Sequence, residues 1–336
     1  MNKKSIYIAY TGGTIGMKPS KHGYVPQPGF MSSYLSSLPE LQRPEIPHFT
    51  VHEYPDLIDS ANMTPDHWQQ IADDIKKHYN HYDAFIILHG TDTMAYTASA
   101  LSFMFENLTK PVIITGSQIP ISGLRSDGLS NLLNSLYLAA NYPISEVTLF
   151  FNNKLLRGNR STKSHADGFD AFSSPNYPAL IEAGITISVN HSALDLVPRG
   201  EFKLRHITPQ PIGIVMLYPG ISPDVIRNVL QQPVNGLILL TFGIGNAPST
   251  PEILSLLQQA YDDNIIVLNL TQCYAGKVNM ESYATGNALA NVGVISGYDM
   301  TVETALAKLH YLLSQDLEIH AVRHYLRQNL RGELTL

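Results

Sequence analysis

Two threonines stand where a hydroxyl could do chemistry. Thr14 lies in Thr11-Gly12-Gly13-Thr14-Ile15-Gly16, directly after the apolar run 6–10. Thr91 lies in His89-Gly90-Thr91-Asp92-Thr93, directly after Phe85-Ile86-Ile87-Leu88. In an open parallel α/β sheet, ligands bind at the rim where buried strands end. The glycine pair before Thr14 permits a sharp turn that leaves its hydroxyl accessible. A hydroxyl that only bonds its own turn is the plainer alternative. Asp92 could receive a substrate ammonium or cap the helix through Met94. Lys163, closing Arg157-Gly158-Asn159-Arg160-Ser161-Thr162-Lys163, could take a proton from Thr91 if the fold buries the two together. These residue types point to an enzyme that attacks with a threonine hydroxyl. Asp59 and Ser60, taken alone, read as loop.

Other chemistries are excluded by spacing. The Thr14 segment lacks the G-x-G-x-x-G dinucleotide pattern, and no Gly-Lys-Ser/Thr follows it. No G-x-S-x-G elbow and no H-E-x-x-H pair occur. The 13 histidines show no metal spacing, and the single cysteine, Cys273, rules out a cysteine-rich zinc site or an intrachain disulfide. One cysteine also favours a reducing, cytoplasmic compartment. The net charge of −6 offers no basic footprint for nucleic acid. No run reaches the ~18 apolar residues of a membrane span. The apolar stretch behind the basic start is too short for a signal peptide.

Those threonines need strands to end beneath them. Short β-branched runs alternate with helical patterns, which argues βαβ units and an α/β fold. Strands are predicted over 6–10, 50–54, 85–89, 112–115 and 147–151, and helices over 94–107 and 129–141. A further helix starts at Thr64-Pro65 and ends near Lys76, Lys77 and His78, with Trp68, Ile71, Ala72, Ile75 and Tyr79 as its apolar stripe. Residues 170–211 carry prolines and polar residues without strong periodicity. Alternation resumes with strands over 212–217, 237–241 and 265–270, and helices over 224–230, 252–261, 302–314 and 320–328. The expected organisation is a domain over 1–190, a linker over 191–211 and a smaller domain over 212–336.

Assembled, these segments resemble the L-asparaginases of the bacterial cytoplasmic type (type I). The matching stretches are 10–16, Asp59-Ser60 with Asn62-Met63, 88–94, Thr115-Gly116-Ser117-Gln118-Ile119-Pro120, 157–167, 243–248 and Asn269-Leu270-Thr271-Gln272-Cys273. The resemblance covers essentially the whole chain. It implies a larger N-terminal Rossmann-like sheet domain and a smaller C-terminal flavodoxin-like α/β domain. It implies hydrolysis of L-asparagine to L-aspartate and ammonia by a homo-oligomer, dimer or tetramer, with no metal or organic cofactor. By matching position, Thr14 would be the nucleophile, and Thr91, Asp92 and Lys163 the second cluster. Asp59 and Ser60 would hold the α-amino and α-carboxylate groups, with Asp92 also on the amine, and Ser117 and Asn246 would complete the binding set. Tyr24 would sit on a mobile loop over 18–28 that closes on the substrate.

Within the same fold, a glutaminase or a tRNA-linked amidotransferase subunit is the nearest alternative. The amidotransferase usually carries a domain ahead of the threonine motif, for which Thr14 lies too near the start. A non-catalytic amino-acid sensor would have lost Thr14 or Lys163, and both are present. Some relatives also bind a second asparagine as activator. Thr162 and Cys273 are the candidate effector residues here. Where those relatives are expected to carry an arginine, this chain has Leu240, so weak or absent activation is expected unless Arg205 or Lys277 substitutes.

Overall fold

The first apolar run forms strand β1 (Ser5–Tyr10), buried on both faces. Parallel strands flank it: β2 (His48–Glu53) on one side and β3 (Ala84–Leu88) on the other. Beyond β3 come β4 (Val112–Thr115) and β5 (Val147–Phe151), also parallel. The parallel strands therefore run in the order 2-1-3-4-5, and the order reverses between β1 and β3. In doubly wound sheets such a reversal opens a crevice at the carboxyl ends of the strands. Tyr10 is in register with Leu88, so the Thr14 and Thr91 motifs leave neighbouring strands at one level.

The sheet then turns antiparallel. Strand β6 (Lys154–Arg157) folds back on β5 through Asn152-Asn153, both at positive φ (44° and 63°), as a two-residue hairpin with right-handed twist requires. Strands β7 (Ile181–Ala183) and β8 (Ile187–Val189) complete an eight-stranded sheet, in the order 8-7-6-5-4-3-1-2. Part of the stretch expected to be irregular thus holds the sheet's antiparallel edge. Its strands are three residues long, too short for period-2 alternation to register.

Helices α1 (Phe30–Ser37) and α4 (Gly128–Asn141) contribute Met31, Leu35, Leu132 and Leu136 to the core around Ile6, Ile8 and Tyr10. Helix α2 (Pro65–His78) buries the predicted stripe of Trp68, Ile71, Ala72, Ile75 and Tyr79. Thr64 caps it, and its backbone N–H donates to His67 Nδ1 at 3.1 Å in a reciprocal capping box. Helix α3 (Met94–Met104) is buried almost all round. It stops at Met104, short of the expected 107, because Phe105–Glu106 pairs with Lys203–Leu204.

The computed structural model describes residues 3–21, 23–194, 197–231, 233–281 and 284–336. It divides into two compact units, Met1–Arg205 and His206–Leu336. The second unit carries parallel strands β9 (Ile212–Met216), β10 (Gly236–Thr241), β11 (Ile266–Thr271) and β12 (Ile295–Ser296), paired in that sequence. Its helices are α5 (Pro223–Leu230), α6 (Pro251–Asp262), α7 (Ala284–Asn291), α8 (Val302–Leu313) and α9 (Ile319–Leu326). The side chains of Ser222 and Thr250 accept from Asp224 N and Ile253 N, capping α5 and α6 where proline follows. On α8, Lys308 is fully buried and paired with Glu333 at 2.6 Å. Burial pushes the Lys308 ammonium below its ordinary range, against the pull of Glu333.

Candidate active site

The two threonine loops are laced together by backbone. Thr11 N–H donates to Leu88 O at 3.1 Å, Ile58 N–H to Thr11 O at 2.7 Å, and His89 N–H to Thr115 O at 2.9 Å. Glycine permits the closest approach. Gly13 lies at φ +87°, and a Cβ there would fall 2.4 Å from the Gly90 Cα. A Cβ on Gly90 would fall 2.4 Å from Ser60 Oγ. Thr14 and Thr91 each follow directly on the Gly13–Gly90 contact, with Ser60 against Gly90. Thr93 Oγ1 donates to Ser60 O at 2.8 Å, and Asp59 accepts from Ala61 N–H at 3.1 Å as cap of the short turn Ser60–Asn62. The stretch read as plain loop is therefore tied to the second threonine motif.

Lys163 joins this group from a two-residue strand, Thr162–Lys163, paired with Phe172–Ser173. Its Nζ donates to Thr91 Oγ1 at 2.9 Å and to Asp92 Oδ1 at 2.7 Å. Lys163 is 18% exposed and Asp92 64% exposed, so the ammonium is held within the fold while the carboxylate faces outward. Thr93, not Asp92, is the N-cap residue of α3, which leaves the Asp92 carboxylate to the lysine. The helix-cap alternative for Asp92 is thereby corrected.

His89 supports the loop from below. It is fully buried, which pushes its pKa down to about 4 and keeps the ring neutral. Its Nδ1 lies 2.7 Å from Gly90 O, an atom that can only accept, so Nδ1 carries the proton. Nε2 then accepts from the Thr97 hydroxyl at 2.9 Å. Sequence reasoning gave this histidine no role, although its place beside Gly90 was the available signal.

Residues 5–195 match the family Asparaginase, N-terminal, and residues 211–326 match the Glutaminase/Asparaginase C-terminal domain. The chain belongs to the asparaginase family. It is 64% identical over 335 residues to L-asparaginase 1 of Escherichia coli strain K12, covering 100% of this chain and 99% of the relative. The crystal structure of L-asparaginase I from Vibrio cholerae O1 biovar eltor superposes with a TM-score of 0.94 at 66% identity, over 99% of this chain and 100% of that one. The thermostable L-asparaginase from Thermococcus kodakarensis follows with a TM-score of 0.88 at 30% identity, covering 98% and 99%.

The remaining asparaginase-motif residues fall in several places. Tyr24 is 57% exposed, on strand Gly23–Pro26 of a hairpin with Met17–Ser20. The segment expected to be loop is largely a two-stranded ribbon, made where Pro19 and Tyr24 pair. Ser117 is buried beside the start of α4. Asn246 lies in the second unit, where its Oδ1 accepts from the Thr285 hydroxyl at 2.7 Å. Thr162 is half-buried in the first unit, and Cys273 is exposed in the second, its backbone N–H on Thr271 Oγ1 at 3.0 Å. Leu240 sits on β10 opposite Met216 and Leu270.

Proposed function

We propose that this chain hydrolyses L-asparagine to L-aspartate and ammonia through a threonine acyl-enzyme. The Thr14 hydroxyl adds to the side-chain amide carbon and gives up its proton. The tetrahedral intermediate collapses, ammonia leaves with an added proton, and an aspartyl ester of Thr14 remains. Water then cleaves the ester. An amide is a poor electrophile, and two smaller barriers replace one large one. The observation that carries the reading is Lys163 reaching both Thr91 and Asp92 beside the Gly13–Gly90 contact. The backbone N–H groups of the Thr91 turn are the donors for the developing oxyanion. Asp59, Ser60 and Asp92 hold the α-amino and α-carboxylate groups, and Tyr24 or the Thr91–Lys163 pair receives the nucleophile's proton.

Those anchors fix the distance from Cα to the attacked carbon and so favour asparagine over glutamine. One extra methylene discriminates by only about 1–3 kcal/mol, so some glutamine turnover is expected. The relatives named L-asparaginase support the substrate, and the single Cys273 supports a cytoplasmic setting. Among the described residues, no helix is long and apolar enough to cross a membrane. The working form is a homo-oligomer. The test is ammonia release from asparagine, from glutamine and from buffer alone, with hydroxylamine added to intercept the acyl-enzyme as aspartyl hydroxamate. Equal kcat/KM for the two amides would remove the preference, and absence of hydroxamate would remove the acyl-enzyme.

A further inference from the structure

Gln118 is held at both ends. Its backbone N–H lies 3.1 and 3.0 Å from the two carboxylate oxygens of Asp127, which also accept from Ile119 N–H at 3.1 Å and from Asn131 Nδ2 at 3.3 Å. Asn131 Nδ2 donates in addition to Gly116 O at 3.0 Å. At the other end, Gln118 Nε2 donates to Ala166 O at 3.2 Å and Gly168 O at 3.0 Å. Carbonyl oxygens only accept, so the NH2 end of this amide must face them. The opposite atom, Oε1, then faces Thr91 Oγ1 at 3.1 Å. An amide oxygen has no proton to give, so the Thr91 proton points at Gln118. Lys163 takes one lone pair of the same hydroxyl. One lone pair is left.

We infer that Gln118 is a positioning residue that sets the polarity of Thr91. It draws the hydroxyl proton to its own side and leaves Thr91 a hydrogen-bond acceptor for a proton-bearing group such as the attacking water. The amide pins this direction because two carbonyls of the 164–171 loop forbid its flipped orientation. That loop follows Lys163 directly, so both partners of Thr91 are fixed by one stretch of chain. The inference rests on the reading of Thr91 as part of the reactive cluster.

The test uses Gln118→Met, which keeps length and removes both ends of the amide, with Gln118→Leu as a second variant should the first fold poorly. Gln118 is half-buried, and methionine keeps the unbranched shape of the side chain. The expected result is a fall in kcat of about tenfold or more with KM within about twofold, since an interaction that acts only on the reacting step lowers kcat and spares binding. In a Thr91→Val background, adding Gln118→Met should cost nothing further, because the glutamine acts only through that hydroxyl. A folded Gln118→Met with wild-type kcat, beside an inactive Thr91→Val, would overturn the inference alone. So would multiplicative losses in the double variant, or a KM rise with kcat unchanged. Wild-type kcat in Thr91→Val would overturn the reading of the cluster and the inference with it.

Discussion

Thr14 has a hydroxyl and a methyl on a rim turn, and only the hydroxyl enters the proposed chemistry. Thr14→Ala should fold normally and lose several orders of magnitude in kcat, measured as ammonia release. Retention of more than about a tenth of wild-type kcat, a loss of only ~1.4 kcal/mol in barrier, would exclude it as nucleophile. His89 makes a prediction about stability. Its pKa falls from 6.5 in the unfolded chain to about 4 in the folded one. Between those values the unfolded chain binds a proton that the native site refuses, so stability is lost as pH drops from 6.5 toward 4. The full difference is about 3 kcal/mol at 1.36 kcal/mol per unit. Urea unfolding at pH 7 and pH 4.5 should show a smaller drop in His89→Asn than in wild type. The same drop in both would locate the acid sensitivity elsewhere.

Backbone contact also holds these residues, and Gly13 is the clearest case. Gly13→Ala would force a Cβ into the Gly90 backbone at a positive φ. Strain of that kind costs roughly 1–3 kcal/mol before the clash is counted. The variant should unfold at lower temperature and lose activity, and circular dichroism with an ammonia assay would show both. Wild-type values in both would mean that the loops do not need the contact. Much of the scaffold was legible in advance. The 6–10 and 85–89 runs become β1 and β3 because strands buried on both faces read as unbroken apolar stretches. Thr64-Pro65 marks the start of α2 because capping is local chemistry. The antiparallel edge of β6, β7 and β8 was not legible, since its signal is spread over short segments joined by pairing at a distance. The grip of Gln118 on Thr91 was hidden for the same reason: 27 residues separate them, and only the β3–β4 pairing brings their loops together. The Lys163–Thr91 bond spans 72 residues; residue types alone offered it only on the condition that the fold bury the two together, and the family resemblance supplied the grouping.

On the scale of the molecule, Leu240 bears on regulation. Its apolar side chain cannot pair with an effector carboxylate, so we expect initial rates to rise hyperbolically with asparagine concentration. A Hill coefficient clearly above one that collapses in Thr162→Ala would show a working effector site without an arginine. The buried Lys308–Glu333 pair bears on stability. Lys308 also donates to Leu326 O and Gln328 O, and Glu333 accepts from Leu330 and Arg331 N–H groups. Removing one partner of a buried pair costs about 3–5 kcal/mol, whereas replacing both can be nearly neutral. Lys308→Met should therefore lower the urea midpoint, and Lys308→Met/Glu333→Leu should recover part of it. A double variant less stable than Lys308→Met would contradict that account. The partners of this pair also lie far apart in the order of synthesis. Helix α8 leaves the ribosome with its ammonium about 25 residues ahead of the carboxylate that neutralises it in the folded state. Until Glu333 emerges, burying that helix would leave the Lys308 ammonium without its carboxylate partner. A message cut short after residue 326 would encode every strand and helix described here and still lack the carboxylate that pairs with Lys308.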